Sequence, residues 1–336
     1  MLLRRAAKAS SLTEGNQMPP IESVGSPALW IGFLSFVLVM LALDLGVFHK
    51  KAHVVTFKEA AVWSTIWVSL SLIFNGIVFA IAGSQAGIEF TTGYLIEKSL
   101  SVDNIFVFVV IFGSLGIPPQ YQHRVLFWGI LTALILRAIM IFAGVAALAK
   151  FHWLIYVFGG FLVLTGIKLW LQRDKAESPE DSKVLRWARK VIPTTTRFDE
   201  QRFFTMENGK RMATPLFLAL ILIEVSDVIF AVDSIPAIFA VTSDPFIVFT
   251  SNIFAILGLR SLFFMLAGMV DKFRYLKVGL ALVLVFVGVK MLILDVYKIP
   301  ALVSLAVILG ILAAAIIFSL RASRREEAAA AAHHRR

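Results

Sequence analysis

The most regular feature of this sequence is a succession of long apolar runs separated by short polar connections. Each run holds about 20 residues with few charges, the length that an α-helix needs to cross the hydrocarbon core of a bilayer. The pattern therefore predicts an all-α polytopic membrane protein with about nine transmembrane helices. The runs fall at 29–48, 63–83, 95–116, 125–148, 153–171, 214–241, 245–270, 276–294 and 300–320.

The composition supports this fold class. Of the 336 residues, 59% are hydrophobic and 16% are charged, which is more apolar surface than one soluble core could bury. The chain has no cysteine, which excludes thiolate ligands and disulfides. The net charge of +10 could indicate nucleic acid, but the basic residues lie in alternate loops. We therefore expect membrane lipid, and no nucleic acid, as the partner of these basic residues.

The positions of Lys and Arg predict the orientation in the membrane. Cytoplasmic loops carry an excess of basic residues, so the basic loops should be cytoplasmic and the loops between them outside. This places the amino terminus outside and the carboxyl terminus in the cytoplasm of a multi-pass inner (plasma) membrane protein. The basic stretch "MLLRRAAKAS" at the amino terminus is an exception. The basic segments are 49–58, 117–124, 173–213, 271–277 and the tail from 321.

An internal repeat is visible in the polar residues of the spans. The block "SVDNI" at 101–105 recurs as "AVDSI" at 231–235. Each copy holds three spans, an odd number, so the copies would cross the membrane in opposite directions. The sequence therefore predicts a 3+3 inverted repeat, which in secondary transporters places the substrate site between the two halves. The match aligns Glu97 with Asp227, Asp103 with Asp233, Arg137 with Arg260, and "GIK" at 166–168 with "GVK" at 288–290.

The repeat divides the chain into segments, and the long loop between the copies has features of its own. In that loop "KVLRWARKVI" predicts a short helix on the lipid headgroups, and Asn208-Gly209 predicts a hairpin turn. The segments are an extracytoplasmic part (1–28), two accessory helices (29–94), the first three-helix repeat (95–172), a cytoplasmic loop (173–213), the second repeat (214–294), a final transmembrane helix (295–320) and a low-complexity cytoplasmic tail (321–336).

Six carboxylates lie within the predicted spans or near their ends. Each costs about 2.5–3.5 kcal/mol at the centre of a membrane helix, so the group needs protons, an intramembrane base or a bound cation. Arg137 and Arg260 can neutralise at most two of the six, which leaves an acidic surplus. We expect a break at Pro236 to bring Asp233 into the site. The six are Asp44, Glu97, Asp103, Glu224, Asp227 and Asp233.

The neighbouring polar residues are hard oxygen donors as well. No histidine falls within a predicted span, which disfavours Zn²⁺ and copper and leaves Mn²⁺, Mg²⁺, Ca²⁺ or a proton. No nucleophile–base pair or cofactor motif is present, so we predict no enzyme and no cofactor. The donors are Asn75, Asn104, Asn252, Ser101, Ser226 and Ser234.

Simpler roles compete with a cation site. The acids could form interhelical hydrogen bonds or salt bridges with the arginines. Glu97 lies about two residues inside its predicted span, so it could be a solvated helix end. The same holds for Asp44, because His49 and Lys50 mark the end of its span just beyond it. Lys98, Lys168 and Lys290 lie near predicted span ends, from which they could reach water.

Three segments resemble a known family. They are "LDLGVF", "EKSLSVDNIFVF" and "GKRMATPLFLALILIEVSDVIFAVDSIPAIFAVTSDPFIVFTSNIFAILGLRSLFF", and the resemblance to the TerC/Alx family of integral membrane proteins runs from about residue 29 to about 294. It implies a relation to inverted-repeat exporters such as the LysE carriers, and a function in Mn²⁺ export. It also implies that the six acids line the Mn²⁺ pathway, with Asn104 and Ser234 beside them.

Two functions are compatible with these features. The first is a Mn²⁺ exporter that works by alternating access, with proton exchange at the same acids as one means of driving release; Mn²⁺ is then the substrate. The second is a membrane assembly or metallation factor that binds Mn²⁺ for exported or membrane proteins and contacts the protein translocation machinery through the 173–213 loop.

Overall fold

A computed structural model describes residues 23–46, 55–151, 153–171, 192–207, 209–267 and 275–333. Within these ranges the fold is mostly helical, with one two-stranded antiparallel sheet. The helices are α1 (Pro27–Gly46), α2 (Phe57–Ser114), α3 (Pro119–Lys150), α4 (Leu154–Leu171), α5 (Pro215–Phe239), α6 (Pro245–Leu257), α7 (Leu259–Leu266), α8 (Leu276–Leu292) and α9 (Ala301–His333); the strands are β1 (Phe204–Glu207) and β2 (Lys210–Ala213).

All nine predicted spans overlie helices, but the number of membrane crossings is not confirmed. In the described part of the chain, six helical stretches are long and apolar enough to cross a membrane. One of them, α2, contains two of the predicted spans, and the apolar parts of α1 and α8 are shorter than the six. The nine-helix topology and the inverted repeat therefore stay predictions.

Helix α2 folds back on itself at Gly83. The backbone there has φ +87° and ψ 177°, a combination that only glycine adopts readily. Residues at similar distances on either side of Gly83 meet: Asn75 Nδ2 donates to Thr91 Oγ1 at 2.7 Å, and the rings of Phe74 and Phe90 lie 5.5 Å apart. The element is thus two antiparallel arms, residues 57–82 and 84–114, of about 39 and 46 Å at 1.5 Å per residue. The second arm begins at 84, where the sequence predicted a loop up to residue 94.

Helices α4 and α8 cross in close contact through glycines. A Cβ atom added at Gly159 would lie 3.0 Å from the Gly288 carbonyl oxygen, and one added at Gly166 would lie 2.8 Å from the Ala281 carbonyl oxygen. Because the higher number on one helix meets the lower number on the other, the helices run antiparallel. Small residues at such crossings are typical of membrane helix pairs.

The first described residues dock on the start of α6. Asp244 caps that helix, and its Oδ1 accepts from the amides of Phe246 at 2.7 Å and Ile247 at 3.2 Å. The same carboxylate accepts from the Ser23 hydroxyl at 3.0 Å and the Val24 amide at 2.6 Å. Residue 23 and the loop before α6 therefore lie on the same face, as the predicted topology requires.

The predicted hairpin is confirmed by the two strands that flank residues 208–209. Strand β1 pairs with β2 in antiparallel register from Phe204 opposite Ala213 to Glu207 opposite Lys210. The Arg124 guanidinium, near the start of α3, lies 5.4 Å from the Phe203 ring. This contact joins two segments that the charge pattern assigns to the same side. The predicted headgroup helix at 183–192 lies almost entirely outside the described residues.

Candidate functional site

A buried arginine joins two carboxylates in the interior of the helix assembly. Arg137 on α3 is 1% exposed. Its Nη1 donates to Glu97 Oε1, while Nη2 donates to Asp227 Oδ1 at 2.8 Å and Nε to Asp227 Oδ2 at 3.2 Å. The guanidinium thus forms the two-pronged contact that suits a carboxylate. The three groups together carry a formal charge of −1.

Helix packing explains why these groups meet. Glu97 lies on the second arm of α2 and Asp227 on α5, and both helices pack together and against neighbouring elements. Glycines permit close approach: a Cβ atom added at Gly129 on α3 would lie 3.2 Å from Ile223 of α5, and one added at Gly93 would lie 2.8 Å from the Ser251 hydroxyl of α6. The sequence therefore brings α2, α3, α5 and α6 around one polar centre.

Three further polar side chains surround the ion pair. Asn104 Nδ2 donates to Asp227 Oδ1 at 3.3 Å, Asn252 Nδ2 donates to Glu97 Oε2 at 3.0 Å, and Arg137 Nη1 donates to Ser234 Oγ at 3.3 Å. All are buried. Among the described residues, the Oδ1 atoms of Asn104 and Asn252 have no hydrogen-bond partner. Since buried acceptors normally have a partner, these oxygens are placed to receive a cation or water.

Two other acids of α5 lie outside this centre. Glu224 Oε1 accepts from the Thr132 hydroxyl of α3 at 2.7 Å, and its Oε2 is buried without a partner in the described structure. Asp233 Oδ1 accepts from the Thr165 hydroxyl of α4 at 3.2 Å. The break predicted at Pro236 is wrong, because α5 stays helical to Phe239. On a continuous helix Asp233 points away from Asp227, six residues earlier.

The structure therefore unites only part of the predicted set. Glu97, Asn104, Asp227 and Ser234 contact one another or Arg137. The side chains of Asp44 and Asp103 lie outside the described part of the structure, so the symmetric cation site predicted for Asp103 and Asp233 stays a prediction. Among the described side chains, no three or more His, Asp or Glu residues converge as a metal site.

Two of the simpler sequence interpretations are wrong. Glu97 is not a solvated helix end: it is 1% exposed and pairs with Arg137. The second arm begins at 84, so Glu97 lies well inside the helix. Lys290 does not reach water as expected, since it is 5% exposed. Lys98 is half-buried, and its Nζ donates to the Ala255 carbonyl at 3.2 Å.

The sequence did not reveal the two threonines that hydrogen-bond the acids of α5. Thr132 aligns with Ala255 in the second repeat, and Thr165 aligns with Val287. Neither threonine has a polar counterpart in the second copy. The internal repeat, which pointed to the acids, therefore did not point to these threonines.

Comparisons with known proteins find relatives that are described as membrane proteins. The model of the integral membrane protein TerC family matches residues 82–327. The chain is 68% identical over 307 residues to the uncharacterized membrane protein STKORF319 of Myxococcus xanthus, covering 91% of this chain and 96% of that protein. It is 50% identical over 309 residues, 89% of this chain and 96% of the other, to a protein of Escherichia coli strain K12 whose name is "Putative membrane-bound redox modulator Alx". No solved structure matches the chain.

Proposed function

The chain belongs to the TerC family of integral membrane proteins, and on that premise we propose that it exports Mn²⁺ from the cytoplasm by alternating access. One observation carries the proposal. Glu97 and Asp227, which the internal repeat makes equivalent, meet at Arg137 in the interior of the helix assembly. A site shared by equivalent residues of two halves is the arrangement of inverted-repeat transporters.

The crossing of α4 and α8 supports the repeat. In the internal alignment Gly159 corresponds to Ala281, and Gly166 corresponds to Gly288. If each residue of the Gly159–Gly288 contact is replaced by its equivalent in the other copy, the result is a contact between Ala281 and Gly166. The structure has both contacts. Reciprocal contacts of this kind are expected of two units related by a two-fold axis. They favour a 3+3 inverted repeat whose axis passes near the glycine crossing.

The donors at the centre suit Mn²⁺. Carboxylate, amide and hydroxyl oxygens are hard ligands of the kind that Mn²⁺ and Mg²⁺ accept. Asn104 and Asn252 each hold an amide oxygen that has no hydrogen-bond partner among the described residues. In the proposed cycle the ion binds between the carboxylates of the two repeats and leaves when the halves rearrange. Asp44, Asp103, Glu224 and Asp233 would line its route. Protons that replace the metal on these acids would favour release.

Mn²⁺ flux into proteoliposomes that contain only the purified chain tests the proposal. Glu97→Gln and Asp227→Asn, and likewise Asp103→Asn and Asp233→Asn, should each lower the flux at least about tenfold, by the measure of lost metal-site interactions. The matched control is Asp199→Asn, which should leave the flux unchanged, because the Asp199 carboxylate accepts from the Thr205 hydroxyl near the hairpin.

The same assay separates the exporter from the metallation factor. A folded wild-type chain that binds Mn²⁺ but moves none would contradict export and favour the assembly or metallation role. A thiol-based redox role is not open to this chain, which has no cysteine.

A further inference from the structure

We infer that Arg137 is a tethered cation that exchanges with the transported ion: it holds the two carboxylates of the centre when no metal is bound and releases at least one of them when Mn²⁺ enters. This inference rests on the proposed function and assigns a positioning role to a residue that does not ligate the metal. It makes Arg137 the residue that links binding to release.

The contacts of the two carboxylates show why Mn²⁺ and Arg137 exclude each other. Three of the four carboxylate oxygens, Glu97 Oε1 and both of Asp227, accept from the guanidinium. The fourth, Glu97 Oε2, accepts from the Asn252 amide. A metal that bound these oxygens directly would lie in contact with a positive group, in an interior where little water screens the repulsion.

The charge balance of the buried centre points the same way. With Arg137 in place the centre has a formal charge of −1, and the addition of Mn²⁺ would make it +1. If Mn²⁺ replaces the guanidinium, the centre is neutral. A neutral centre is the least costly of these to hold away from water.

A second acceptor for the displaced guanidinium lies on the same helix face as Asp227. Glu224 precedes Asp227 by three residues on α5, so the two carboxylates share a face. Glu224 contacts α3, the helix that carries Arg137, through Thr132. Its Oε2 is buried and has no partner among the described residues. We therefore expect Arg137 to pass from Asp227 toward Glu224 as the metal binds.

Arg137→Gln tests the exchange by a measurement of binding that does not depend on transport. In the purified full-length chain, Mn²⁺ affinity from the electron paramagnetic resonance signal of the free ion should rise at least about fivefold, the low end of typical couplings between two ligands. Mn²⁺ flux in proteoliposomes should fall, because nothing replaces the metal at release. Arg137→Lys keeps the charge and should recover part of the flux.

The matched control is Arg124→Gln on the same helix, whose guanidinium lies over Phe203; its Mn²⁺ affinity should equal that of the wild type. If Arg137→Gln does not fold, Glu97→Gln/Arg137→Gln restores the charge balance and should bind Mn²⁺ more tightly than Glu97→Gln alone. The inference is overturned if folded Arg137→Gln binds Mn²⁺ no more tightly than the wild type. If only the double variant folds, it is overturned when that variant binds Mn²⁺ no more tightly than Glu97→Gln. A wild-type chain without Mn²⁺ flux overturns the proposed function instead, since the exchange is judged on affinity.

Discussion

Gly159 on α4 and Gly288 on α8 meet backbone to backbone. A Cβ atom added at Gly288 would lie 2.7 Å from the carbonyl oxygen of Gly159, and a backbone atom cannot rotate aside as a side chain can. The two glycines therefore set the distance at which the last helices of the two proposed repeats cross. A larger residue at either position must push the helices apart.

Gly288→Val should destabilise the protein by about 1–3 kcal/mol, the usual cost of an overpacked site. The measurement is thermal unfolding of the purified protein in detergent. Gly160→Val is the control, because Gly160 neighbours Gly159 but an added Cβ atom there meets no atom of the described residues within 4 Å. Equal losses in the two variants would show that the glycine crossing does not limit the packing.

Gly83→Ala should also lower the stability, for a reason of backbone geometry. The residue has φ +87°, where a side chain costs about 1–3 kcal/mol, although no atom in the described part of the chain lies within 4 Å of the added Cβ. Gly76→Ala, within the first arm of α2 and equally free of neighbours, should be neutral or stabilising by up to about 1 kcal/mol. Thermal unfolding of both variants separates backbone strain from crowding, and an equally stable Gly83→Ala would contradict the fold-back at this residue.

The turn at Gly83 also shows what the sequence could and could not predict. Hydropathy located the helices well, because lipid and protein core both select apolar residues. It predicted a loop at 84–94 because that stretch contains polar residues, yet some of these are buried between helices: Thr91 pairs with Asn75 on the first arm of α2, and Thr92 is buried. The hydropathy of a sequence window cannot show whether a polar side chain faces water or a polar partner on another helical segment.

The site was predictable to a similar degree. The repeat identified two pairs of acids, but not which pair faces the centre. Glu97 and Asp103, like their equivalents Asp227 and Asp233, are six residues apart, so they project about 240° apart around a helix with 3.6 residues per turn. Only the packing of α2 and α3 against α5 shows that Arg137 reaches Glu97 and Asp227.

Asp244→Ala should loosen the contact between the described start of the chain and α6. The carboxylate accepts four hydrogen bonds, from the Phe246 and Ile247 amides, the Val24 amide and the Ser23 hydroxyl. Loss of a helix cap costs about 0.5–2 kcal/mol, and the upper part of that range is expected because two of the donors come from outside the helix.

Hydrogen exchange checks this directly, since the Val24 and Phe246 amides should exchange faster in Asp244→Ala. The neighbouring Ser243 is exposed, so Ser243→Ala should leave both amides protected. If Phe246 alone were affected, the carboxylate would be a helix cap without a role in holding the chain before α1.

Asn252→Ala should weaken Mn²⁺ binding if its amide oxygen is a ligand in the metal-bound state. That oxygen has no partner among the described residues, while the amide nitrogen donates to Glu97. Loss of both contacts should lower the affinity about 10- to 100-fold, the range found for groups that support a metal site.

The matched control is Asn75→Ala, which also removes a buried amide whose oxygen has no partner among the described residues but lies in the α2 hairpin beside Thr91. Asn75→Ala should lower the thermal stability and leave the Mn²⁺ affinity unchanged. If the two variants weakened binding equally, the loss would reflect general destabilisation, and the centre around Arg137 would not be where Mn²⁺ binds.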